Sequence, residues 1–367
     1  MDKINITKIF LPDKETFIKY IDKIYSSGWV TNDGPFVKEF EKKLENFLGI
    51  RNVVVVSNGT LALQIAYRCL NIKGSALTTP YSFVATTSSL VWEGIKPIFA
   101  DINKKTLTLE PTKIKKHLSK DITGIVPVHV YGNACEIDEI NDIANQNNLK
   151  VVYDAAHCIG VKYKNKSIFN YGDASIVSFH ATKLFHTIEG GAILTNDDHI
   201  AEEARLMRNF GISGEDKIES VGINAKMNEI EAAMGLALLD NIESLIADRY
   251  RVWNVYYNNL LNYVEFPELN PDVKWNFSYV PVLFKNESQL EKVKEILNAN
   301  NIFPRRYFYP SLDTLTYLNN QEKFPISNNI SKRVLCMPNF FGVNDDTINS
   351  ICELIKSEIK KSRVPIS

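Results

Sequence analysis

The sequence predicts an α/β fold: a large N-terminal domain with a mixed, mostly parallel sheet, followed by a smaller C-terminal α+β domain. Short apolar runs alternate with helical stretches between residue 53 and about residue 200, which is typical of parallel strands covered by helices on both faces. Beyond Asp248 the strands and helices become shorter. The 367 residues, of which 45% are apolar, are enough to build two cores. We therefore expect one domain over residues 1–247 and a second over residues 248–367.

The spacing of apolar residues predicts the individual elements. Helical spacing predicts helices over residues 14–26, 36–47, 61–70, 228–245 and 289–298. Short apolar runs predict strands at Val53–Val56, Ile98–Ala100, Ile125–Val130, Val151–Tyr153, Ser175–Ser178, Ala192–Thr195 and Tyr279–Phe284. The segment Gly28–Pro35 lies between the first two helices and contains two glycines and a proline, so it predicts a loop.

Composition and charge exclude several classes of function. The net charge is -1 without a charged block, so neither nucleic acid nor an anionic membrane is an expected partner. The apolar runs are far shorter than the ~18 residues of a membrane span, and the N-terminus lacks the apolar core of a signal peptide. The five cysteines are widely spaced and the histidines show no metal-ligand spacing, so we expect a cytoplasmic protein without a metal site. No Gly-x-Gly-x-x-Gly follows a strand, which disfavours a dinucleotide-binding oxidoreductase.

Lys183 is the strongest candidate for chemistry. It follows the strand-like run Ala174–Val177 on a turn that closes with Glu189-Gly190-Gly191. Turns at strand ends carry the functional groups of many α/β enzymes. A lysine that is desolvated there loses its proton near neutral pH and can attack a carbonyl group. Taken alone, Lys183 would be better explained as a surface lysine on a loop, because most lysines are solvated.

Two further strand ends supply the partners that such a lysine needs. Asp154 ends the apolar run Val151–Tyr153, and a buried carboxylate there requires a cationic partner. Gly59 and Thr60 open a helix directly after a strand, where free N–H groups and the helix dipole suit a phosphate. Ordinary helix capping is the alternative for both places. A phosphate cradle, an acid and a lysine together are what a pyridoxal 5'-phosphate site requires.

The motifs around these residues resemble those of a known family. Their order and spacing are similar to those of the DegT/DnrJ/EryC1/StrS sugar aminotransferases, on the fold-type I, aspartate aminotransferase-like scaffold of pyridoxal-phosphate-dependent transferases. The resemblance covers roughly the whole chain. The segments that carry it are Asn58–Leu63, Thr79–Thr86, Asp154–His157, Ser178–Lys183, Glu189–Gly191 and Gly222–Met227.

The resemblance implies roles for further cofactor-binding residues. It implies that Phe83 stacks on the pyridine ring and that His157, where many members carry glutamine, lies near the ring hydroxyl. Ser178 resembles the phosphate-binding serine of the family. Asn224 resembles an asparagine that reaches the phosphate of the neighbouring subunit, which implies a homodimer with shared active sites. A core phenylalanine and a structural histidine are the alternatives for Phe83 and His157.

The resemblance also implies how the substrates bind. Trp29 and Thr31 would lie near the sugar, and Arg305, Arg306 and Tyr307 near the sugar nucleotide, with the arginines paired to the diphosphate. Solvated surface charge is the alternative for both arginines.

The segment Phe308–Leu312 is more similar to enzymes that act at C4 of dTDP-4-keto-6-deoxyglucose than to the His-Tyr-Pro pattern of C3 enzymes. We therefore expect amino transfer from L-glutamate to C4, in deoxyamino-sugar biosynthesis for an O-antigen or another glycan. The alternatives are a C3 aminotransferase, which Phe179–Lys183 also resembles, and a non-catalytic regulatory member of the fold.

Overall fold

A seven-stranded sheet built from residues 52–195 is the largest sheet of the computed structural model, which describes residues 3–361. Its strand order is β2-β10-β9-β6-β5-β3-β4. Only β10 runs antiparallel to its neighbours, and every other pair is parallel, so the predicted α/β class is confirmed. The strands in chain order are β1 (Ile4–Asn5), β2 (Asn52–Val56), β3 (Ser75–Thr78), β4 (Lys96–Phe99), β5 (Ile122–Val126), β6 (Lys150–Asp154), β7 (Lys162–Tyr163), β8 (Lys166–Ser167), β9 (Ala174–Ser178), β10 (Gly191–Thr195), β11 (Ile212–Gly214), β12 (Lys217–Ile218), β13 (Val273–Lys274), β14 (Pro281–Leu283), β15 (Ile302–Phe303) and β16 (Val334–Cys336).

Helices cover both faces of this sheet and build the C-terminal part of the chain. In order they are α1 (Lys14–Ser27), α2 (Pro35–Leu48), α3 (Gly59–Cys69), α4 (Val84–Trp92), α5 (Pro111–Ile114), α6 (Ile137–Asn147), α7 (Asp198–Met207), α8 (Glu229–Leu238), α9 (Ile242–Leu260), α10 (Glu287–Ala299), α11 (Pro325–Arg333) and α12 (Asp345–Lys361). Among residues 3–361, no helix has both the length and the apolarity needed to cross a bilayer.

The run of valines in β2 shows why the sequences of these strands are continuous apolar segments. Val53 and Val55 belong to the core on one face of the sheet, and Val54 and Val56 belong to the core on the other face. All four side chains are fully buried. A strand with both faces covered has no solvent side, so its sequence shows no polar alternation.

One strand of the seven-stranded sheet was not predicted, and two predicted elements are shorter than expected for a clear reason. Strand β3 was not predicted, because the serine and the threonine at its ends leave only a short apolar run between them. The strand expected over Ile125–Val130 ends at Val126, where Pro127 follows without an N–H to donate. The helix expected over residues 228–245 is interrupted by a short 3-10 turn at Leu239–Asn241, which separates α8 from α9.

The long helix α9 joins the two expected domains. Ile242 and Leu245 at its start pack into the core of the large domain. Val252 and Leu260 in its later turns pack into a separate core that is built mostly from the C-terminal part of the chain. The helix thus crosses the expected domain boundary between residues 247 and 248. The division of the chain into two domains stays a prediction.

The loop between α1 and α2 is anchored by a distant acid. The carboxylate of Glu229, which is fully buried, accepts hydrogen bonds from the backbone N–H groups of Phe36 at 2.8 Å and Val37 at 2.9 Å. It therefore caps the N-terminus of α2, where Gly34 provides no side chain. A second anchor is the buried Arg208, which pairs with Asp33 at 3.0 Å.

Replacing Glu229 by alanine is expected to destabilise the protein by about 3 kcal/mol, because two buried N–H groups lose their acceptor. Urea unfolding measures this loss, and limited proteolysis should show new cleavage between residues 28 and 34. Glu229→Gln keeps one acceptor oxygen and should lose about half as much. Unchanged stability of the alanine variant would contradict the capping role.

Candidate active site

A cavity of about 320 Å³ opens at the carboxyl ends of the parallel strands and contains most of the predicted site residues. Strand pairing explains their proximity. Gly191 at the start of β10 pairs with Val56 on one side and Ser178 on the other, and Asp154 pairs with Ile176. The predicted residues that line the cavity are Gly59, Thr60, Phe83, Asp154, His157, Ser178, Lys183, Arg305 and Tyr307.

The N-terminus of α3 forms one end of this cavity. The side chain of Asn58 accepts a hydrogen bond from the N–H of Leu61 at 2.9 Å, and the N–H groups of the first helical turn otherwise have no partner within the helix. The approach of the neighbouring strand is close: a Cβ on Gly191 would lie 2.6 Å from the nitrogen of Gly59, and a Cβ on Gly59 would lie 3.3 Å from Cβ of Ser178. Free N–H groups with the hydroxyls of Thr60 and Ser178 beside them suit a phosphate.

Asp154 lies in the wall of the cavity and is almost completely buried. One of its carboxylate oxygens accepts a hydrogen bond from the Thr86 hydroxyl at 2.6 Å, and the other from the N–H of Ala156 at 3.2 Å. Burial raises the pKa of this carboxyl, while the Thr86 and Ala156 donors and the positive charge of Lys183 oppose the shift. A cationic ring nitrogen would compensate for the buried negative charge.

Lys183 lies in the same cavity on the turn after β9, where its backbone N–H donates to the carbonyl of His180 at 2.9 Å. Burial lowers the pKa of Lys183 to about 8, and the charge of Arg305 adds to this effect while that of Asp154 opposes it. An amine with this pKa is neutral in part near pH 7.5 and can act as a nucleophile.

The titration of Lys183 gives a direct test. Labelling of the protein without cofactor by fluorodinitrobenzene should modify Lys183 with a midpoint near pH 8, because only the neutral amine reacts. Surface lysines should follow with midpoints near 10.4. Peptide mapping across the pH range measures both. In Arg305→Gln the midpoint at Lys183 should move upward, and an unmoved midpoint near 10.4 in the original protein would contradict the lowered pKa.

His157 and Phe83 are the two predicted ring side chains of the cavity wall for which the sequence left a structural alternative open. The ring of His157 lies 4.6 Å from the ring of Tyr279 and 5.8 Å from that of Phe308, and burial keeps the pKa of His157 well below its usual value. Phe83 immediately precedes α4 and is 53% exposed. An exposed phenylalanine at a cavity mouth is free to stack on a ligand, unlike a core phenylalanine.

Four predicted residues do not line the cavity in this single chain. Trp29 and Thr31 lie in the loop before α2, and Asn224 is exposed, with its backbone paired to Asn209. Arg306 pairs with Glu287 at 2.8 Å and with Glu291, which leaves it less suited to a diphosphate than Arg305.

Three residues in or beside the cavity were not among the predicted site residues. Thr86 belongs to the segment Thr79–Thr86, but only the structure shows that its hydroxyl donates to Asp154. His129 is fully buried, and its Nδ1 accepts the N–H of Cys135 at 3.1 Å, so the neutral ring carries its proton on Nε2. His180 lines the cavity and lies within hydrogen-bond distance of Thr182, at 2.7 Å.

The arrangement fits pyridoxal phosphate. A cradle for the phosphate, a buried acid for the ring nitrogen and a lysine of lowered pKa for the aldehyde line one cavity. Within residues 3–361 no cluster of three or more histidine, cysteine or acidic side chains could hold a metal ion. A larger groove of about 820 Å³ beside Tyr250 and Trp275 contains none of the predicted residues.

Several known proteins are similar to this chain along most of its length. The dTDP-4-amino-4,6-dideoxy-D-glucose transaminase of Shigella dysenteriae is 40% identical over 97% of this chain and 99% of that protein. The enzyme of the same name from Escherichia coli is 36% identical over 96% of this chain and 98% of that protein. The crystal structure of DesI in the presence of its TDP-sugar product superposes with a TM-score of 0.94 at 30% identity, covering 99% of this chain and 94% of that one.

The match of this chain to a protein family agrees with its fold, its cavity and these relatives. The DegT/DnrJ/EryC1/StrS aminotransferase family matches residues 12–356. With relatives at 40% and 36% identity over nearly the full chain, this match shows that the protein belongs to the DegT/DnrJ/EryC1/StrS aminotransferase family.

Proposed function

We propose that the protein uses pyridoxal 5'-phosphate to move an amino group from L-glutamate to C4 of a nucleotide-linked 4-keto-6-deoxyhexose, dTDP-4-keto-6-deoxyglucose. The observation that carries the proposal is the placement of Lys183 and Asp154 in one cavity with the N-terminus of α3. Family membership makes the protein an aminotransferase, and the cavity supplies the groups that this chemistry needs.

The residues of the cavity would bind the cofactor at three points. Gly59, Thr60 and Ser178 would hold its phosphate, and Asp154 would keep its ring nitrogen protonated. Once bound, the cofactor supplies a ring that accepts the electrons of the Cα–H bond. Phe83 would hold that ring flat from the open side of the cavity.

Lys183 would have two roles. Its neutral amine would hold the cofactor aldehyde until the amino donor takes its place. The freed amine would then move a proton between the substrate carbon and the cofactor carbon on the other side of the nitrogen. Burial keeps the pKa of Lys183 near the working pH, which favours both directions of this transfer.

Relatives support transfer to C4 of a dTDP-linked sugar. The two named transaminases, at 40% and 36% identity, carry a 4-amino product in their names, and DesI was crystallised with a TDP-sugar. A GDP-perosamine synthase of Vibrio cholerae, in contrast, is only 28% identical over 92% of this chain and 95% of that protein. The dTDP-linked substrate is therefore the better supported of the two nucleotides.

The test is an assay with L-glutamate and dTDP-4-keto-6-deoxyglucose, followed by NMR of the product. The nitrogen should be found on C4. An amine at C3 from the 3-keto isomer, or turnover only with a UDP- or GDP-linked sugar, would replace the proposed substrate. No transfer with any of these sugars would favour a regulatory, non-catalytic role.

We further propose a cytoplasmic location, since all five cysteines are free thiols.

We also propose a homodimer whose active sites are shared between subunits. Asn224 is exposed here, and large apolar side chains are exposed in the same region, among them Ile218 at 75% and Val221 at 73%. Exposed apolar side chains that lie close together are typical of an interface. The partner's copy of this segment could then bring Asn224 to the cofactor phosphate, as the family resemblance implies.

Mixing two inactive variants is expected to restore activity if the sites are shared. In a heterodimer of Lys183→Ala and Asn224→Ala subunits, one of the two sites contains both intact residues. About a quarter of the original activity per mixed sample is therefore expected after random subunit exchange. Native mass spectrometry confirms the exchange. A verified heterodimer without activity, or an active monomer, would contradict the shared site.

A further inference from the structure

A buried histidine that the proposed mechanism does not use lies three residues after Lys183. His186 is only 2% exposed, and both of its ring nitrogens have a partner. Nδ1 accepts the backbone N–H of Ile188 at 3.2 Å, and Nε2 lies 2.8 Å from the carbonyl oxygen of Phe10. Because Nδ1 accepts, Nε2 carries the proton of the neutral ring and donates it to Phe10. Burial lowers the pKa of His186, which favours this neutral form.

Ile188, the first partner, has a strained backbone. Its φ is 73°, in the left-handed region, where a β-branched residue is rare because its side chain crowds the backbone. The side chain is 44% exposed, so packing does little to hold the residue in this conformation. Strained conformations persist only where the surrounding structure fixes them. The hydrogen bond from the Ile188 N–H to His186 is such a constraint.

Phe10, the second partner, belongs to the segment before α1, which lies against the C-terminal part of the chain. In this segment β1 pairs with β15, and the carbonyl of Ile6 accepts the N–H of Asn339 at 3.0 Å. The ring of Phe10 packs edge to face on that of Phe341, at 4.9 Å. His186 therefore connects the turn of the active-site lysine to a segment that the C-terminal part of the chain holds in place.

The turn that contains His186 lies between residues of the cavity. Lys183 precedes it and Glu189 follows it, and both line the cavity. Gly191 comes two residues later, and a Cβ there would lie 2.6 Å from the nitrogen of Gly59 in the phosphate cradle. A shift of Ile188 would therefore move the Lys183 amine on one side and the cradle on the other.

We propose that His186 is a positioning residue, whose two hydrogen bonds fix the strained turn after Lys183 and thereby hold the lysine amine and the phosphate cradle in place. The inference rests on the proposed aminotransferase function. His186 is not among the side chains that line the cavity, so it acts through the turn and not on a substrate.

Labelling of the cofactor-free protein tests the position of Lys183 without turnover. Burial lowers the pKa of Lys183 to about 8, and a displaced amine would be better solvated. His186→Phe keeps a ring but neither hydrogen bond. In this variant the midpoint of Lys183 labelling by fluorodinitrobenzene should rise by about one unit or more, toward the ~10.4 of a solvated lysine. His199→Gln, at an exposed histidine on α7, should leave the midpoint unchanged.

Steady-state assay with L-glutamate and the keto sugar gives a second readout. His186→Phe should lower kcat by about tenfold to a hundredfold, the loss expected when a reacting group is displaced by about an ångström. KM for the sugar should change by less than about threefold, because His186 does not contribute to its binding. A histidine that served stability alone would lower the melting temperature and leave the kcat of the folded protein unchanged.

A double-mutant cycle connects the effect to the strain at Ile188. Glycine adopts a positive φ without strain, so in Ile188→Gly the turn keeps its conformation without the bond to His186. With Ile188→Gly as the parent protein, His186→Phe should lower kcat by less than about threefold. The Lys183 midpoint should then stay near that of the parent.

Two further variants separate the two hydrogen bonds, and they serve as the test where His186→Phe does not fold. His186→Asn places an acceptor near the position of Nδ1 and can keep the bond to Ile188, whereas His186→Gln places a donor near Nε2 and can keep the bond to Phe10. If the strained turn is what matters, the asparagine variant retains the lower Lys183 midpoint and the higher kcat of the two.

An unmoved Lys183 midpoint in His186→Phe, or an equal loss of kcat with and without Ile188→Gly, would overturn the inference. If the original protein transferred no amino group to any of the tested sugars, the proposed function itself would fail. The labelling experiment would still decide the role of His186, because it needs neither cofactor nor substrate.

Discussion

Lys183→Ala is expected to lower amino transfer by about 10⁴-fold or more, because the variant loses both the nucleophile and the group that moves the proton. The neighbouring side chains cannot replace it. His180, the other basic side chain on that turn of the cavity, lies within hydrogen-bond distance of Thr182, and His157 is buried among aromatic rings with its pKa held low. Steady-state assay of the purified variant with L-glutamate and the keto sugar measures the loss.

Chemical labelling connects this loss to one residue. Borohydride reduction of the holoenzyme should attach the cofactor to Lys183, and peptide mapping should find it there. Lys162→Ala provides the matched control, since Lys162 lines the separate groove near Trp275 and should leave activity unchanged. A label on Lys162 or Lys226, or activity close to the original in Lys183→Ala, would refute the assignment.

Asp154→Asn is expected to lower kcat by about 10²–10³-fold, the range for removing one preorganised electrostatic partner from an active site. The amide has the shape of the carboxylate but no charge, so it cannot keep a ring nitrogen protonated. Visible absorbance should show that the cofactor is still bound, since the phosphate cradle and Lys183 are unchanged.

The same variant separates function from stability. Burial raises the pKa of Asp154, which means that its charge costs stability in the protein without cofactor. Asp154→Asn removes that charge, so thermal unfolding of the cofactor-free variant should occur at the same or a higher temperature. A lower melting temperature together with a near-normal kcat would show that Asp154 is only structural.

Strand ends explain why the sequence alone could predict residues that the structure brings together in one cavity. Asp154, Ser178 and Gly59 each follow a short apolar run, and parallel strands bring their carboxyl ends to one edge of the sheet. The motifs therefore predicted both the fold and the cofactor end of the cavity. Arg305 and Tyr307, from the C-terminal part of the chain, were expected at the site from the family resemblance alone. No local pattern of the sequence shows that the chain returns there to the cavity.

Long-range contacts are what the sequence could not specify. Glu229 accepts from the N–H of Phe36, 193 residues earlier, and Thr86 donates to an acid 68 residues later. Neither residue has a distinctive neighbourhood in sequence, since its role depends on which segment packs beside it. Local periodicity predicted most strands of the central sheet and their order, and strand-end motifs predicted the candidate cofactor residues, which line one cavity. Only the tertiary structure separated Arg305, for which residues 3–361 offer no ion pair, from Arg306, which pairs with Glu287 and Glu291. The pairing of a charge depends on all the elements packed around it.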